Sequence, residues 1–347
     1  MSKKTSPKGP SDFLPGVGLD VGTMNIIASR RSASEGTQHT PIRDAFLDLE
    51  LDAKRSLKLS KVDYVQEGNN LVVVGDSALT MANLFRREAR RPLQKGVISA
   101  GELDAQRILS LLVKKVLGTP TVDGEHCFYS VPAAPLDDPE QDIIYHTEVF
   151  RKILQTHGYT AHPTNEASAI VYSQCAEDNF SGLAVSFGSG MCNIALLYQA
   201  SVAMSFSVAR GGDWVDRSAA KATGKTASQI CSIKEKGADL CNPTTREQEA
   251  IGFYLTNLID YCLKAIMSEF RKVSGNVTLP DPIPFVVSGG TSMATGFMEV
   301  FKTQFESIRK SFPIEISEVR HATDPLTAVS SGLLVLAMEE YEEDDED

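Results

Sequence analysis

Two stretches of this chain repeat one another: VGLDVGTMNIIASR from Val17 and GLAVSFGSGMCNIALLY from Gly182. Each reads as an apolar strand, a tight glycine turn and a second apolar strand. Asp20 and Ser186 take corresponding places 166 residues apart, Gly22 and Gly188 open the turns, and Asn25 and Asn193 start the return strands. A whole supersecondary unit is therefore duplicated, and the 347 residues divide into two similar halves. That agrees with the two or three domains such a length allows. A third glycine turn, Ser288-Gly289-Gly290-Thr291, follows the strand IPFVV and leads into a helix. Strand and helix textures alternate between these turns, which gives an α/β fold class.

Between the turns, periodicity predicts helices over 76–90, 100–117, 138–157, 226–237 and 247–273. In the second, Leu103, Ile108, Leu111, Leu112 and Val116 form the apolar face; in the third it is Ile143, Ile144, Phe150, Ile153 and Leu154. HCFYSV reads as a buried strand stopped by Pro132 and Pro135, PIEISEV as an edge strand, and DPLTAVSSGLLVLAMEE as a closing helix. Arg86, Arg87, Arg90 and Arg91 read as a solvated helix face or an inter-subunit contact, and Trp214 as packed within the second half.

Hydrophobic residues at 42% and charged residues at 23% exclude wholesale disorder. The six cysteines are scattered with no C-x-x-C pair, which argues against a zinc site or a disulfide framework and for a reducing cytoplasm. No apolar run reaches the 18 or so residues that span a bilayer, and residues 1–15 read as a flexible, lysine- and proline-rich arm without a signal-peptide core. Net charge is -11, but eight acids sit in the last nine residues. The body is nearly balanced and has no basic excess to hold nucleic acid. The acidic end reads as a solvated tail or as a docking face for a basic partner.

Glycines at strand–turn junctions let backbone N–H groups approach a ligand, and successive N–H groups form anion-binding nests. Three such turns arranged about a duplicated unit point to a bound nucleotide. Two decoys fall away. Gly188-x-Gly190 lacks the last glycine of a dinucleotide fingerprint and leads into a strand. Gly224-Lys225-Thr226 lacks the first glycine of a P-loop, since Ala219 stands there.

From about Gly16 to Met338 these segments resemble the superfamily of actin and the seventy-kilodalton heat-shock chaperones, and most of all bacterial actin-like filament proteins of the MreB and MamK kind. GLDVGTMN resembles the first phosphate loop, LAVSFGSGMCNIAL the second, VVSGGTSM the adenosine loop, TNEASAIVY the first connecting segment and RGGDWVD the Gly-Gly-Asp turn. VVGDSA, PLQKGVIS and DPLTAVSSG resemble linking motifs of this branch. The resemblance implies a duplicated, ribonuclease H-like two-domain fold with a central nucleotide cleft for ATP and Mg²⁺. Domain I would cover 16–165 with a small part near 31–75, and domain II 166–321 with a small part near 215–280. Residues 322–338 would return to domain I, followed by the acidic tail 339–347.

Carried over residue by residue, Asp20 orders Mg²⁺-bound water, and Gly22, Thr23, Met24 and Asn25 face the phosphates. Glu166 positions the attacking water. Ser186, Gly188, Ser189 and Gly190 approach phosphate, Gly212 and Asp213 the ribose, Gly289, Gly290, Thr291 and Met293 the adenosine, and Lys234 the adenine. The second phosphate loop of the superfamily opens with an aspartate where this chain has Ser186; Met191 replaces its threonine and Asn193 a later acid of the chaperone branch. Losing those charges would slow hydrolysis roughly 10²–10³-fold while sparing binding. The expectation is an ATP-binding, self-polymerising cytoskeletal protein with slow turnover. The alternative is a monomeric chaperone-like ATPase.

Overall fold

A computed structural model of the protein describes residues 12–273 and 279–344. The first eleven residues of the expected arm and the last three acids of the tail lie outside the described residues. The chain divides into two compact units. One holds residues up to Ser130, Ile144–Thr164 and the end from Leu333; the other holds Val131–Ile143 and Asn165–Gly332.

The first unit runs β1 (Phe13–Val21), β2 (Asn25–Ser32), β3 (Gly36–Arg43), β4 (Phe46–Glu50), α1 (Lys54–Leu59), β5 (Val65–Glu67), β6 (Asn70–Val74), α2 (Asp76–Phe85), β7 (Leu93–Gln94), β8 (Val97–Ile98), α3 (Ala105–Leu117), β9 (His126–Val131), α4 (Ile143–Thr156) and β10 (Thr160–Asn165). The second continues with α5 (Glu166–Gln174), β11 (Gly182–Phe187), β12 (Cys192–Tyr198), β13 (Ser201–Val208), α6 (Gly212–Thr223), α7 (Ala227–Glu235), α8 (Arg246–Val273), β14 (Ile283–Ser288), α9 (Phe297–Ile308) and β15 (Ile316–His321); α10 (Ala328–Asp344) starts in the second unit and belongs to the first from Leu333.

The main sheet of the first unit has the order β10-β9-β1-β2-β3, and that of the second β13-β12-β11-β14-β15. Read from opposite ends the two orders coincide, so β1, β2, β3, β9 and β10 match β11, β12, β13, β14 and β15. In each, the central hairpin is antiparallel and its first strand runs parallel to a strand reached through helices. The duplication legible in the sequence is thus a duplication of the fold. Its register differs from the sequence reading at one place. The Gly22 N–H donates to the Asn25 carbonyl (3.0 Å), and the Gly188 N–H to the Met191 carbonyl (3.1 Å). Asn25 therefore corresponds to Met191, and Asn193, the ladder partner of Ser186, corresponds to Ile27.

Burial explains where the expected helices were drawn too long. Helix α3 starts at Ala105, and its buried stripe is Ile108, Leu109, Leu112, Val113, Val116 and Leu117. Leu103, assigned to that stripe, precedes the helix and is 99% exposed. Helix α4 starts at Ile143; Ile144 faces outward and His146 takes an inward place beside Phe150, Ile153 and Leu154. Helix α2 stops at Phe85 because Arg86 adopts a left-handed conformation (φ 53°). The arginines beyond it form no helix face. Arg87 donates to the Asp48 carbonyl, and Arg90 lies over the Phe46 ring while pairing with Asp48 and Glu102. The Gly-Lys-Thr decoy is a junction between helices: Gly224 ends α6 in the left-handed region and Thr226 caps α7 in a capping box with Gln229. Strand β1 begins two residues before the expected end of the arm, and α10 carries the chain through six residues of the expected tail.

In the second unit, α8 lays Ile251, Leu255, Leu258, Ile259, Cys262, Leu263, Ile266 and Phe270 into the core at helical spacing. Trp214 packs against that core, edge-on to Tyr254. In the first unit, Arg30 and Glu125 form a buried pair (2.7 Å), with Glu125 also accepting the Gly16 and Thr121 N–H groups. These extra donors offset the desolvation that makes most buried ion pairs costly.

His146 is fully buried, and among the described residues neither ring nitrogen has a partner. Burial pushes its pKa down to about 4. The unfolded chain therefore gains a proton near pH 6.5 that the folded chain refuses until pH falls to about 4. Stability is lost as pH falls through that window, by about 2 kcal/mol between pH 7 and pH 5. Urea unfolding at the two pH values checks this: His146→Leu should remove that share of the difference.

Candidate functional site

In the first unit the end of β1 brings Asp20 beside β9, where the Ser130 hydroxyl donates to Asp20 Oδ1 (2.9 Å) and accepts the Val21 N–H (2.7 Å). Burial raises the Asp20 carboxyl to about 6, against the lowering effect of that hydrogen bond. A carboxylate poised this way is readily ionised by a nearby cation. The turn that follows is wired to its surroundings. Thr23 Oγ1 accepts the Gly96 N–H (3.0 Å), leaving its own proton to donate, and the Met24 carbonyl accepts the Asp44 N–H (3.0 Å). Asn25 Oδ1 accepts from Arg43 (3.3 Å).

In the second unit three turns far apart in sequence meet. The Gly212 N–H donates to the Gly188 carbonyl (2.9 Å), the Asp213 N–H to the Ser189 carbonyl (2.8 Å), and the Thr291 hydroxyl to the Gly188 carbonyl (2.9 Å). The approach needs glycine: a Cβ on Gly212 would sit 2.6 Å from Thr291 Oγ1 and 3.0 Å from Lys234 Nζ. Ser186, Gly188, Ser189, Gly190, Gly212, Asp213, Gly289, Gly290 and Thr291 thus belong to one loop cluster or its immediate supports. Within it the buried Ser189 hydroxyl has no partner among the described residues. An unpaired buried hydroxyl costs about 1–3 kcal/mol, which a ligand oxygen would recover.

Two expectations change in detail. The third turn leads into a four-residue 3₁₀ turn, Gly290–Met293, and α9 starts only at Phe297. No α-helix dipole follows Gly289 directly. Met293 is half-exposed on that turn. Lys234 is not a free cation: its ammonium donates to Asp216 (2.7 Å) and to the Gly212 carbonyl (3.3 Å), bracing the Gly-Gly-Asp turn from below. Burial raises the Asp216 pKa, and Lys234 opposes the rise.

Glu166 opens α5, behind the cap made by Asn165 Oδ1 on the Ser168 N–H (3.0 Å). Its two carboxylate oxygens are gripped separately. The Ser186 hydroxyl donates to Oε1 (2.6 Å) and the Asn193 amide to Oε2 (2.7 Å). Two of the three positions read as departures from the superfamily pattern, Ser186 and Asn193, are the ones that hold the candidate catalytic acid.

Sequence reasoning missed the supporting partners Ser130 and Asp216. Ser130 alone left a trace, as a polar residue in an otherwise apolar strand end. Among the described residues no three His, Cys, Asp or Glu side chains come together as a metal site. The donors present fit an ion held by few protein oxygens, as Mg²⁺ is when phosphates supply the rest. No helix among the described residues is long and apolar enough to cross a membrane.

Solved structures share this architecture. A MamK double helical filament aligns with TM-score 0.70 at 20% identity, over 93% of this chain and 98% of that one. MreB5 of Spiroplasma citri bound to ADP gives 0.62 at 14%, over 96% and 99%. The ethanolamine utilization protein EutJ from Carboxydothermus hydrogenoformans gives 0.52 at 16%, over 94% and 92%. No curated protein matches by sequence. The sequence model of the volactin family matches residues 16–337, nearly all of the described chain. With its paired sheets and glycine loops, this protein has the two-domain actin-like fold and belongs to the volactin family.

Proposed function

We propose that this chain is a cytoplasmic ATP-binding actin-like protein that assembles with copies of itself into filaments and hydrolyses ATP slowly. The observation that carries the proposal is the loop cluster of the second unit, where three glycine turns lock together around the unpartnered Ser189 hydroxyl. Ser189 and the backbone of Gly188 and Gly190 would serve phosphate oxygens, Gly212 and Asp213 the ribose, and Gly289, Gly290 and Met293 the adenosine. Thr291 holds the cluster together through Gly188. In the first unit Gly22, Thr23, Met24 and Asn25 would serve phosphate, and Asp20 would hold Mg²⁺ through water. The ion supplies charge neutralisation at the phosphates. Lys234, paired with Asp216, would support the ribose turn through the Gly212 carbonyl. Glu166 would take the proton of the attacking water.

Assembly is supported by the likeness to the MamK filament. Head-to-tail stacking makes an open, heterologous interface, and ATP biases it through differential affinity for the polymerising state.

A fluorescent-ATP titration in Mg²⁺ tests the cradle. Wild type should saturate, and Gly212→Val, with its fold verified by circular dichroism, should bind roughly 10–100-fold more weakly. Equal affinities would remove the basis for this site. A protein that binds ATP yet sediments as a monomer at every concentration would favour the chaperone-like ATPase instead.

A further inference from the structure

We infer that Ser186 and Asn193 act together as a two-donor clamp that positions the Glu166 carboxylate for ATP hydrolysis. The inference rests on the proposed reading of Glu166 as the group facing the attacking water. In that step the water oxygen bonds to the γ-phosphorus as the bridging P–O bond breaks. Its electron pair leaves with ADP, and the water proton passes to Glu166.

The clamp is built from secondary structure. Ser186 on β11 and Asn193 on β12 are direct cross-strand partners, so their side chains leave the sheet side by side. Both are essentially fully buried, and each reaches a different oxygen of the one carboxylate. The orientation of the Asn193 amide is fixed independently. Its Oδ1 accepts the Ala133 N–H (3.0 Å), which leaves only the NH₂ end for Glu166. Ser186 has a single proton, and it is given to Glu166 Oε1.

Charge decides the chemistry. An aspartate at either position would set a second carboxylate against Glu166 at hydrogen-bond distance, and two such groups cannot both ionise. Neutral donors do the opposite. They favour the charged form of Glu166 and fix the direction of its oxygens, which is what a base at neutral pH requires. These two departures from the superfamily pattern therefore act as one unit. They remove charge from the phosphate loop and use those positions to hold the base.

The test is single-turnover phosphate release and fluorescent-ATP affinity, over pH, for wild type, Ser186→Ala, Ser186→Thr, Asn193→Ala and Glu166→Gln. Charge-assisted hydrogen bonds of this kind should make each alanine variant about tenfold slower at saturating ATP. The acid limb of the rate profile should move up, because the ionised base has lost a donor. Ser186→Thr keeps the hydroxyl and should restore both rate and profile. Asn193 also ties Ala133, so the serine pair carries the test if Asn193→Ala is unstable. Wild-type release no faster than Glu166→Gln would overturn the reading of Glu166 and the clamp with it. Glu166-dependent release with an unshifted rate and profile in Ser186→Ala would overturn the clamp alone.

Discussion

Glu166→Gln should slow phosphate release by roughly 10²–10⁴-fold, the usual contribution of a positioned base, while ATP affinity stays within about twofold. Glutamine matches the shape of the side chain but offers a single acceptor oxygen, so one of the two donors from Ser186 and Asn193 would face an amide N–H. The Ser186 hydroxyl can turn to accept from that amide while Asn193 donates to the oxygen, so the geometry is kept and the base is gone. Quenched-flow phosphate release with a parallel affinity measurement separates these effects. If bound ATP biases assembly as proposed, this variant should also yield polymer that persists after free ATP is diluted away. A variant that releases phosphate at the wild-type rate would move the catalytic role elsewhere.

The second large effect concerns stability. Where α10 begins in the second unit, Gly332 packs directly on the backbone of α5. A Cβ there would lie 1.7 Å from the Ala169 carbonyl oxygen and 2.6 Å from its carbon. Those neighbours are main-chain atoms within a helix, so no rotamer change relieves the clash, and the two helices must separate. Ala167, Ala169, Ile170 and Val171 on α5 are all fully buried, so separation also opens a packed core. Gly332→Val should cost about 3–5 kcal/mol, at or above the upper end of ordinary overpacking because the clash is with main-chain atoms. The expected result is loss of the cooperative thermal transition or insoluble expression. Wild-type melting would show that α10 can shift away from α5 without cost.

Much of this fold was legible because apolar strands and glycine turns are local signals. The repeat of Asp20-x-Gly22 and Ser186-x-Gly188 located both central hairpins, and the two sheets confirm it by their matching orders. What local pattern cannot give is which residue lies opposite which. Two asparagines on similar return strands invited pairing Asn25 with Asn193, yet the turn hydrogen bonds set Asn25 against Met191. Leu103 and Ile144 fit a helical stripe in sequence but sit before or outside the buried face, since an apolar residue near a helix start carries no information about where the helix begins. The arginines after Phe85 lost their helix to a left-handed Arg86, a conformation arginine does not announce.

The candidate site divides the same way. Its glycines were visible because close backbone approach demands them. The clamp was not, because Glu166, Ser186 and Asn193 are 20 and 27 residues apart and meet only through the β11–β12 ladder. Ser186 looked like a loss of charge when read alone. Its contact with Glu166 is what gives the change a second meaning.

The most direct measurement of the central proposal is light scattering against protein concentration, in Mg-ATP and in nucleotide-free buffer, with negative-stain microscopy of each sample. An ATP-biased filament protein should show a threshold concentration, lower with ATP than without, and filaments only above it. Scattering that rises in proportion to concentration without a threshold, from fields of single particles, would contradict the filament reading.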